Sequence, residues 1–205
     1  MKQKHFIDSH KGATPLVVVG LMAFYGQWEN TTLWVYLGTH GLYGALWVLK
    51  SVTFGDKQWE RRCGVGYGLV IWGGLTLYWI APWLIASRAT EAPPAIIGLA
   101  VTMFGLGVFY HFASDMQKHT TLALRKGLFT DGLWARTRNP NYFGELLIYA
   151  GFSLLAMHWI PFVALGLFVV GVWIPNMIRK DKSISRYPEF AAYKARSGLF
   201  FPRLF

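Results

Sequence analysis

The sequence is poor in cysteine and in negative charge, with one thiol, Cys63, and 10 Asp and Glu against 20 Lys and Arg. A single thiol excludes an internal disulfide and a thiolate metal cluster, and no metal site is expected. Charge of either sign is scarce: 15% of the 205 residues are charged, while 54% are hydrophobic and 17% aromatic. A water-facing globule of this size cannot hide so much apolar surface, whereas a lipid solvent removes the difficulty. The chain also lacks internal repeats, low-complexity tracts and any polar run long enough for a separate soluble domain, so residues 1–205 read as one transmembrane domain. A net charge of +10 would suggest nucleic acid in a soluble protein. In a membrane protein the useful question is which loops hold the cations, and no nucleic-acid partner is expected.

Six apolar stretches stand out, at residues 15–27, 33–49, 64–87, 95–115, 142–158 and 161–178. A bilayer core asks for roughly 17–25 residues per helix, so the first stretch is short and fits a tilted, partly inserted or re-entrant segment as well as a full crossing. If all six cross, the loops alternate in charge. Three cations precede the first span, four lie between the second and third, five between the fourth and fifth, and seven follow the sixth, leaving Arg88 alone on the other side. By the positive-inside rule this puts both termini in the cytoplasm. The reading is therefore an all-α polytopic bundle of about six transmembrane helices in a lipid bilayer, in a bacterial inner membrane. The reversal at residues 158–161 makes the last two spans a tight antiparallel hairpin, with Pro161 in a first helical turn where its missing N–H costs nothing. Polar residues precede the first apolar stretch, so the N-terminus is expected to stay in the mature protein. Nothing in the sequence sets an oligomeric state.

Polar groups within or beside spans are costly and are functional candidates by default. The densest cluster is Arg136-Thr137-Arg138-Asn139-Pro140-Asn141-Tyr142-Phe143-Gly144-Glu145, at the mouth of the fifth span. Pro140 disfavours helix at Asn139 and suits a helix start, so a helix begins here with Asn139 as its cap. Asn141 and Glu145 then share a face, with Tyr142 beside them, and Gly144 leaves that surface open to a neighbouring backbone or a ligand. Two guanidinium groups beside a helix N-terminus suit phosphate. Snorkelling arginines would explain the cations but not a carboxylate one turn into the span.

A second cluster, Ser114-Asp115-Met116-Gln117-Lys118, ends the fourth span, with His111 one turn before Asp115; Asp115 has His111 and Lys118 as possible partners. A third is Arg179-Lys180-Asp181, followed by an expected polar helix over residues 183–194 that lies along the membrane surface. In the second span, Tyr36, His40, Tyr43, Trp47 and Lys50 recur at helical spacing and so line one face. That stripe fits a hydrogen-bond ladder between helices as well as a substrate or proton path.

At the fifth-span cluster the sequence resembles the steroid 5α-reductase and sterol reductase families, whose signature reads R-[HN]-P-N-Y-x-G-[DE]. The stretch 114–118 is similar to their S-[DN]-x-Q-K element, and the tail with Asp181, Tyr187, Tyr193 and Pro202 to their closing pattern. The resemblance covers residues 109–205. Isoprenylcysteine carboxyl methyltransferases and phospholipid methyltransferases share the fold, but they usually lack the Asn and the following acid and carry a Glu-Glu pair near the tail. Here Asn141 and Glu145 are present, and Lys180-Asp181-Lys182 stands where that pair would be.

The resemblance implies an NADPH-dependent reductase of a C=C bond in a lipophilic small molecule, with S-adenosylmethionine-dependent methyl transfer as the alternative. By the same resemblance, residues 95–205 form the cofactor-binding half, with Asp115, Gln117, Lys118, Arg136, Arg138, Asn141, Tyr142, Glu145, Arg179, Asp181 and Tyr193 around the cofactor on the cytoplasmic side. NADPH carries several negative charges that Lys118, Arg136, Arg138 and Arg179 would neutralise. The proton that accompanies the hydride must come from a protein acid. Tyr43, His40 and Tyr149 are the candidates, the first two from the half of the chain that the resemblance does not cover.

Overall fold

The computed structural model describes residues 1–203, and these are helical with no strand among them. Seven helices follow in order: α1 Gln3–Tyr25, α2 Thr31–Phe54, α3 Val65–Ser87, α4 Pro94–Leu124, α5 Pro140–Leu155, α6 Ile160–Ile184 and α7 Phe190–Arg196. Three of them, α3, α4 and α6, are long and apolar enough to cross a membrane. Their large side chains also face outward: Leu69, Val70, Leu106, Phe109, Leu167 and Val170 are all exposed. Apolar surface on that scale is suited to a lipid bilayer.

The first apolar stretch proves to be the second half of a longer helix. α1 begins at Gln3 and runs for 23 residues, because its polar N-terminal part has a buried face of its own. Phe6, Ile7, His10, Lys11, Thr14, Val18 and Met22 recur at helical spacing and are buried. Two other expectations are corrected. The polar helix foreseen over 183–194 is broken between Ile184 and Phe190, where Pro188 removes a donor and disfavours helix at Tyr187. Asn139 precedes α5 as foreseen but does not cap it: its amide donates to the Leu199 carbonyl at 2.7 Å, and its Oδ1 is buried with no hydrogen-bond partner.

α4 and α6 are not uniform. Each contains one π-helical turn, Phe109–Ala113 in α4 and Val169–Trp173 in α6. In α6 the turn lies just before Pro175, which has no N–H to give to Gly171. A π-turn inserts an extra residue and so rotates everything after it relative to the apolar part before it. The two polar stretches that follow, from Ser114 and from Asn176, are re-aimed in this way.

The chain divides into two compact units. Unit 1 comprises Met1–Phe104 and Ala150–Ala164; unit 2 comprises Gly105–Tyr149 and the chain from Leu165 onward. In unit 1, α1 packs on α2 and α3, and the start of α2 meets the segment before α4 through Asn30, Thr32 and Glu91. Asn30 caps α2 through Leu33 N–H at 2.9 Å, and Glu91 accepts from Thr31 N–H at 3.1 Å and from the Thr32 hydroxyl at 3.2 Å. In unit 2, glycine allows α4 and α5 to touch: a Cβ at Gly107 would stand 2.6 Å from the Gly144 carbonyl, and one at Gly144 would meet the His111 backbone. The surface that Gly144 leaves open is therefore occupied by a neighbouring backbone.

Candidate functional site

In unit 2 the segment from Arg136 to Asn139 is clasped by the chain after α7. Arg138 N–H donates to the Gly198 carbonyl at 2.8 Å, Gly198 N–H returns to the Arg136 carbonyl at 3.0 Å, and the Thr137 hydroxyl donates to the Phe200 carbonyl at 3.0 Å. The two backbone bonds form a short parallel bridge between Thr137 and Gly198. They tie the residues before α5 to the tail, and Arg138 among them makes four side-chain hydrogen bonds. Its Nε donates to both Asp181 oxygens, at 3.1 and 2.9 Å, and its Nη1 to the Ser197 carbonyl at 2.6 Å and hydroxyl at 3.2 Å. Arg138 is 4% exposed, so a geometry this complete is what offsets its desolvation.

Around this pair the other stretches converge. Lys180 donates to the Arg138 carbonyl and lies 4.5 Å over the Trp134 ring. Trp134 donates from Nε1 to the Ser114 carbonyl at 3.1 Å, and the Tyr193 hydroxyl donates to the Trp134 carbonyl at 2.6 Å. Burial holds the Tyr193 phenol well above its usual range, so it remains a neutral donor. Asp115 is buried and meets Lys118 at 3.4 Å, while the His111 ring lies 3.1 Å from the Asn141 carbonyl. Of the two partners open to Asp115 in the sequence, Lys118 is therefore in place. The Tyr142 hydroxyl accepts from Asn176 at 3.3 Å, and Trp173 stands beside both Tyr142 and Tyr149, with ring centres 5.6 and 6.4 Å away.

The residues that sequence reasoning assigned to the cofactor thus all fall in unit 2, in unequal states. Arg138 and Lys118 are each matched by a carboxylate, and Gln117 braces the Asp131–Leu133 turn through both amide atoms, at 2.9 and 3.2 Å. Arg136 and Arg179 are exposed and stand outside these pairs. Glu145 is half-buried on α5 and Tyr149 is buried. Two amide oxygens, Asn139 Oδ1 and Asn141 Oδ1, are buried without hydrogen-bond partners, and such atoms mark where a further donor belongs. Trp134, Asn176, Lys180 and Ser197 were missed as site residues. Only Lys180 had a signal, its place beside Asp181.

His40 and Tyr43 belong to unit 1. His40 Nδ1 lies 2.8 Å from the Tyr36 hydroxyl, which in turn donates to the Tyr78 carbonyl at 3.3 Å. The His40 ring is stacked on Phe152 at 4.3 Å, and Tyr43 is covered by the Lys11 ammonium at 4.3 Å from its ring centre.

Fold and site together define a helical membrane protein with a polar clasp built on the chain around Arg138. The chain belongs to the DUF1295 family, described as proteins of unknown function, whose model matches residues 68–197. It is also 35% identical over 95 residues to an uncharacterized protein of Schizosaccharomyces pombe, a match covering 42% of this chain and 27% of that protein. The matched region is thus about a quarter of that relative's length.

Proposed function

We propose that this protein is a membrane-embedded, NADPH-dependent reductase of a C=C bond in a lipophilic substrate, with six spans and the cofactor site facing the cytoplasm. One observation carries the reading. The three separate stretches that resemble the sterol reductases, around Asp115, Arg138 and Asp181 with Tyr193, meet in one hydrogen-bonded network in unit 2. Side chains that only anchor a helix at an interface have no need to find one another.

Counting charge supports the reading less than the sequence suggests. Of the four cations expected around the phosphates, Arg138 and Lys118 are matched by Asp181 and Asp115. Arg136 and Arg179 remain for the phosphates. The residues present fit the cofactor: the exposed arginines suit its phosphates, and the Asn139 and Asn141 oxygens suit hydrogen donors such as a carboxamide or ribose hydroxyl. When bound, NADPH supplies the hydride. The chain holds it, excludes water and provides the proton.

The test is ligand protection in detergent or nanodiscs, with NADPH and S-adenosylmethionine compared. NADPH at about 100 times its Kd should stabilise by roughly 2.7 kcal/mol. Stabilisation by S-adenosylmethionine alone would sink the reductase and support the methyltransferase; binding of neither would point to a chain that kept the fold without the chemistry. Tyr142→Phe and Glu145→Ala should weaken NADPH protection while the protein still inserts, and unchanged protection in both would move the site elsewhere.

A further inference from the structure

The polar face of α2 is left unexplained by the clasp in unit 2. Tyr36, His40, Tyr43, Trp47 and Lys50 are all buried, so the stripe points into the protein and not toward lipid. α1 adds to it His10 and Lys11, which are 1% and 3% exposed. The closeness of the two helices has a specific cause. Pro15 brings no N–H to the Lys11 carbonyl, and that carbonyl sits where a Gly44 side chain would be, 2.5 Å from an ideal Cβ. Lys11 is thereby set across from Tyr43 and Trp47, its ammonium 4.3 and 5.2 Å from their ring centres.

At one end this buried row reaches water. A small, partly open cleft lies at the end of unit 1 that carries the N-terminus, lined by Lys4, Asp8, Trp47, Lys50, Asp56 and Glu60 among others. Asp8 lies one helical turn from Lys11 on the same side of α1 and accepts from the Ser51 hydroxyl at 2.7 Å. Asp8 Oδ1 is buried with no hydrogen-bond partner. At the other end the row finishes in the His40–Tyr36 contact of 2.8 Å, closed by the Tyr78 carbonyl and by the Phe152 ring. Each group in between, carboxyl, ammonium, phenol and imidazole, can both lose and regain a proton.

We propose that the buried α1–α2 face is a proton path, running from Asp8 at the cleft through Lys11 beside Tyr43 to the His40–Tyr36 pair. The use made of the proton rests on the reductase reading; the path itself does not. Saturating a C=C bond takes one hydride onto one carbon, supplied there by the nicotinamide, and one proton onto the other from a protein acid. That acid is left as a base, and a group buried among helices regains a proton only through other groups. His40 with Tyr36 is the terminal donor, and solvent at the cleft restores it. Tyr36 joins the candidates on this ground, and Tyr43 becomes a positioning residue for Lys11.

The path is tested without any substrate. Protein labelled with 15N-histidine is placed in nanodiscs and moved to deuterated buffer, and exchange of the His40 imidazole N–H is followed by NMR, with His40→Gln fixing the assignment. Lys11→Met should slow exchange roughly tenfold or more, and Asp8→Asn should slow it less, because it leaves the Lys11 ammonium in place beside Tyr43. Lys11→Arg is the discriminating variant: it keeps the cation over Tyr43 but cannot release a proton, so the path predicts slow exchange there too. Wild-type exchange in Lys11→Arg means that only the charge matters and overturns the proposal, as does unchanged exchange in Lys11→Met. Should Lys11→Met fail to fold, Lys11→Arg and Asp8→Asn decide the matter. NADPH protection of the same samples separates the two readings: a slowed exchange with no nucleotide binding would keep the path and remove the reductase.

Discussion

In unit 2 the buried charge of Arg138 is met by four hydrogen bonds, two to Asp181 and two to Ser197, whereas in unit 1 the buried charge of Lys11 lies over the rings of Tyr43 and Trp47. A guanidinium is always charged, and its planar fork fixes direction. An ammonium is a compact point charge that can give up its proton when buried. The difference separates a charge that is permanent from one that can change. Unit 2 uses permanent charge and backbone bonds to hold one arrangement of the motif and tail; unit 1 buries groups that titrate.

The largest effect should follow from breaking the lock. Arg138→Met leaves the Asp181 carboxylate, 15% exposed on its side chain, without its partner, a class of change that costs roughly 3–5 kcal/mol. Thermal unfolding should fall accordingly, and proteases should reach the chain after α7. Asp181→Leu added to it should recover much of the loss, since the paired charges go together. A single Arg138→Met protein as stable as wild type would show that the clasp is held by backbone bonds alone.

Glycine substitutions come next and treat the two units alike. A methyl group at Gly144 would press on the His111 backbone and stand 2.6 Å from the Gly107 carbonyl, and one at Gly44 would stand 2.5 Å from the Lys11 carbonyl. Backbone cannot swing aside as a long side chain can, so each Ala variant should lose about 1–3 kcal/mol. The comparison is sharpened by what else changes: Gly44→Ala should also alter His40 exchange, and Gly144→Ala should not. Tyr193→Phe, which removes a 2.6 Å bond to the Trp134 carbonyl, should cost about 1 kcal/mol in thermal unfolding.

How far all this was readable in the sequence differs by residue. The α2 stripe was readable because a 3.6-residue period survives any packing partner, and the start of α5 because Pro140 restricts its neighbour. The N-terminal half of α1 was not, since Lys4, Asp8, His10 and Lys11 look like solvent-facing residues until the fold supplies their partners: Glu60 for Lys4, Trp72 and Trp79 of α3 for His10, and α2 for Asp8 and Lys11. The π-turns escaped as well; no residue type encodes an extra residue in a turn, and Pro175 alone hints at the second. In the site, counting cations treated Arg136, Arg138, Lys118 and Arg179 as equals. Only the fold, which brings Asp181 to Arg138 across 43 positions, divides them into those already matched and those facing out. The resemblance pointed to stretches that meet in unit 2, and packing decided which atoms in them are already bonded.

The smallest effect lies at the mouth of the cleft. Glu60 meets Lys2 at 2.6 Å and Lys4 at 2.5 Å, and these hydrogen bonds hold its carboxyl at about 2, below the usual 4.5. A carboxyl held low in the folded state contributes stability that is fully present above its unfolded value and is lost as pH falls through the folded one. The contribution should therefore be constant from neutral pH down to about pH 5 and fade between there and pH 2. Glu60 is half-exposed at the surface, so salt should screen most of it. Glu60→Gln should leave the melting temperature almost unchanged at neutral pH in 0.15 M salt and flatten its decline in acid, read by circular dichroism in nanodiscs. A large loss at neutral pH would instead mean that the Lys2 and Lys4 contacts hold the start of α1 in place, and that the mouth of the cleft is as rigid as the clasp in unit 2.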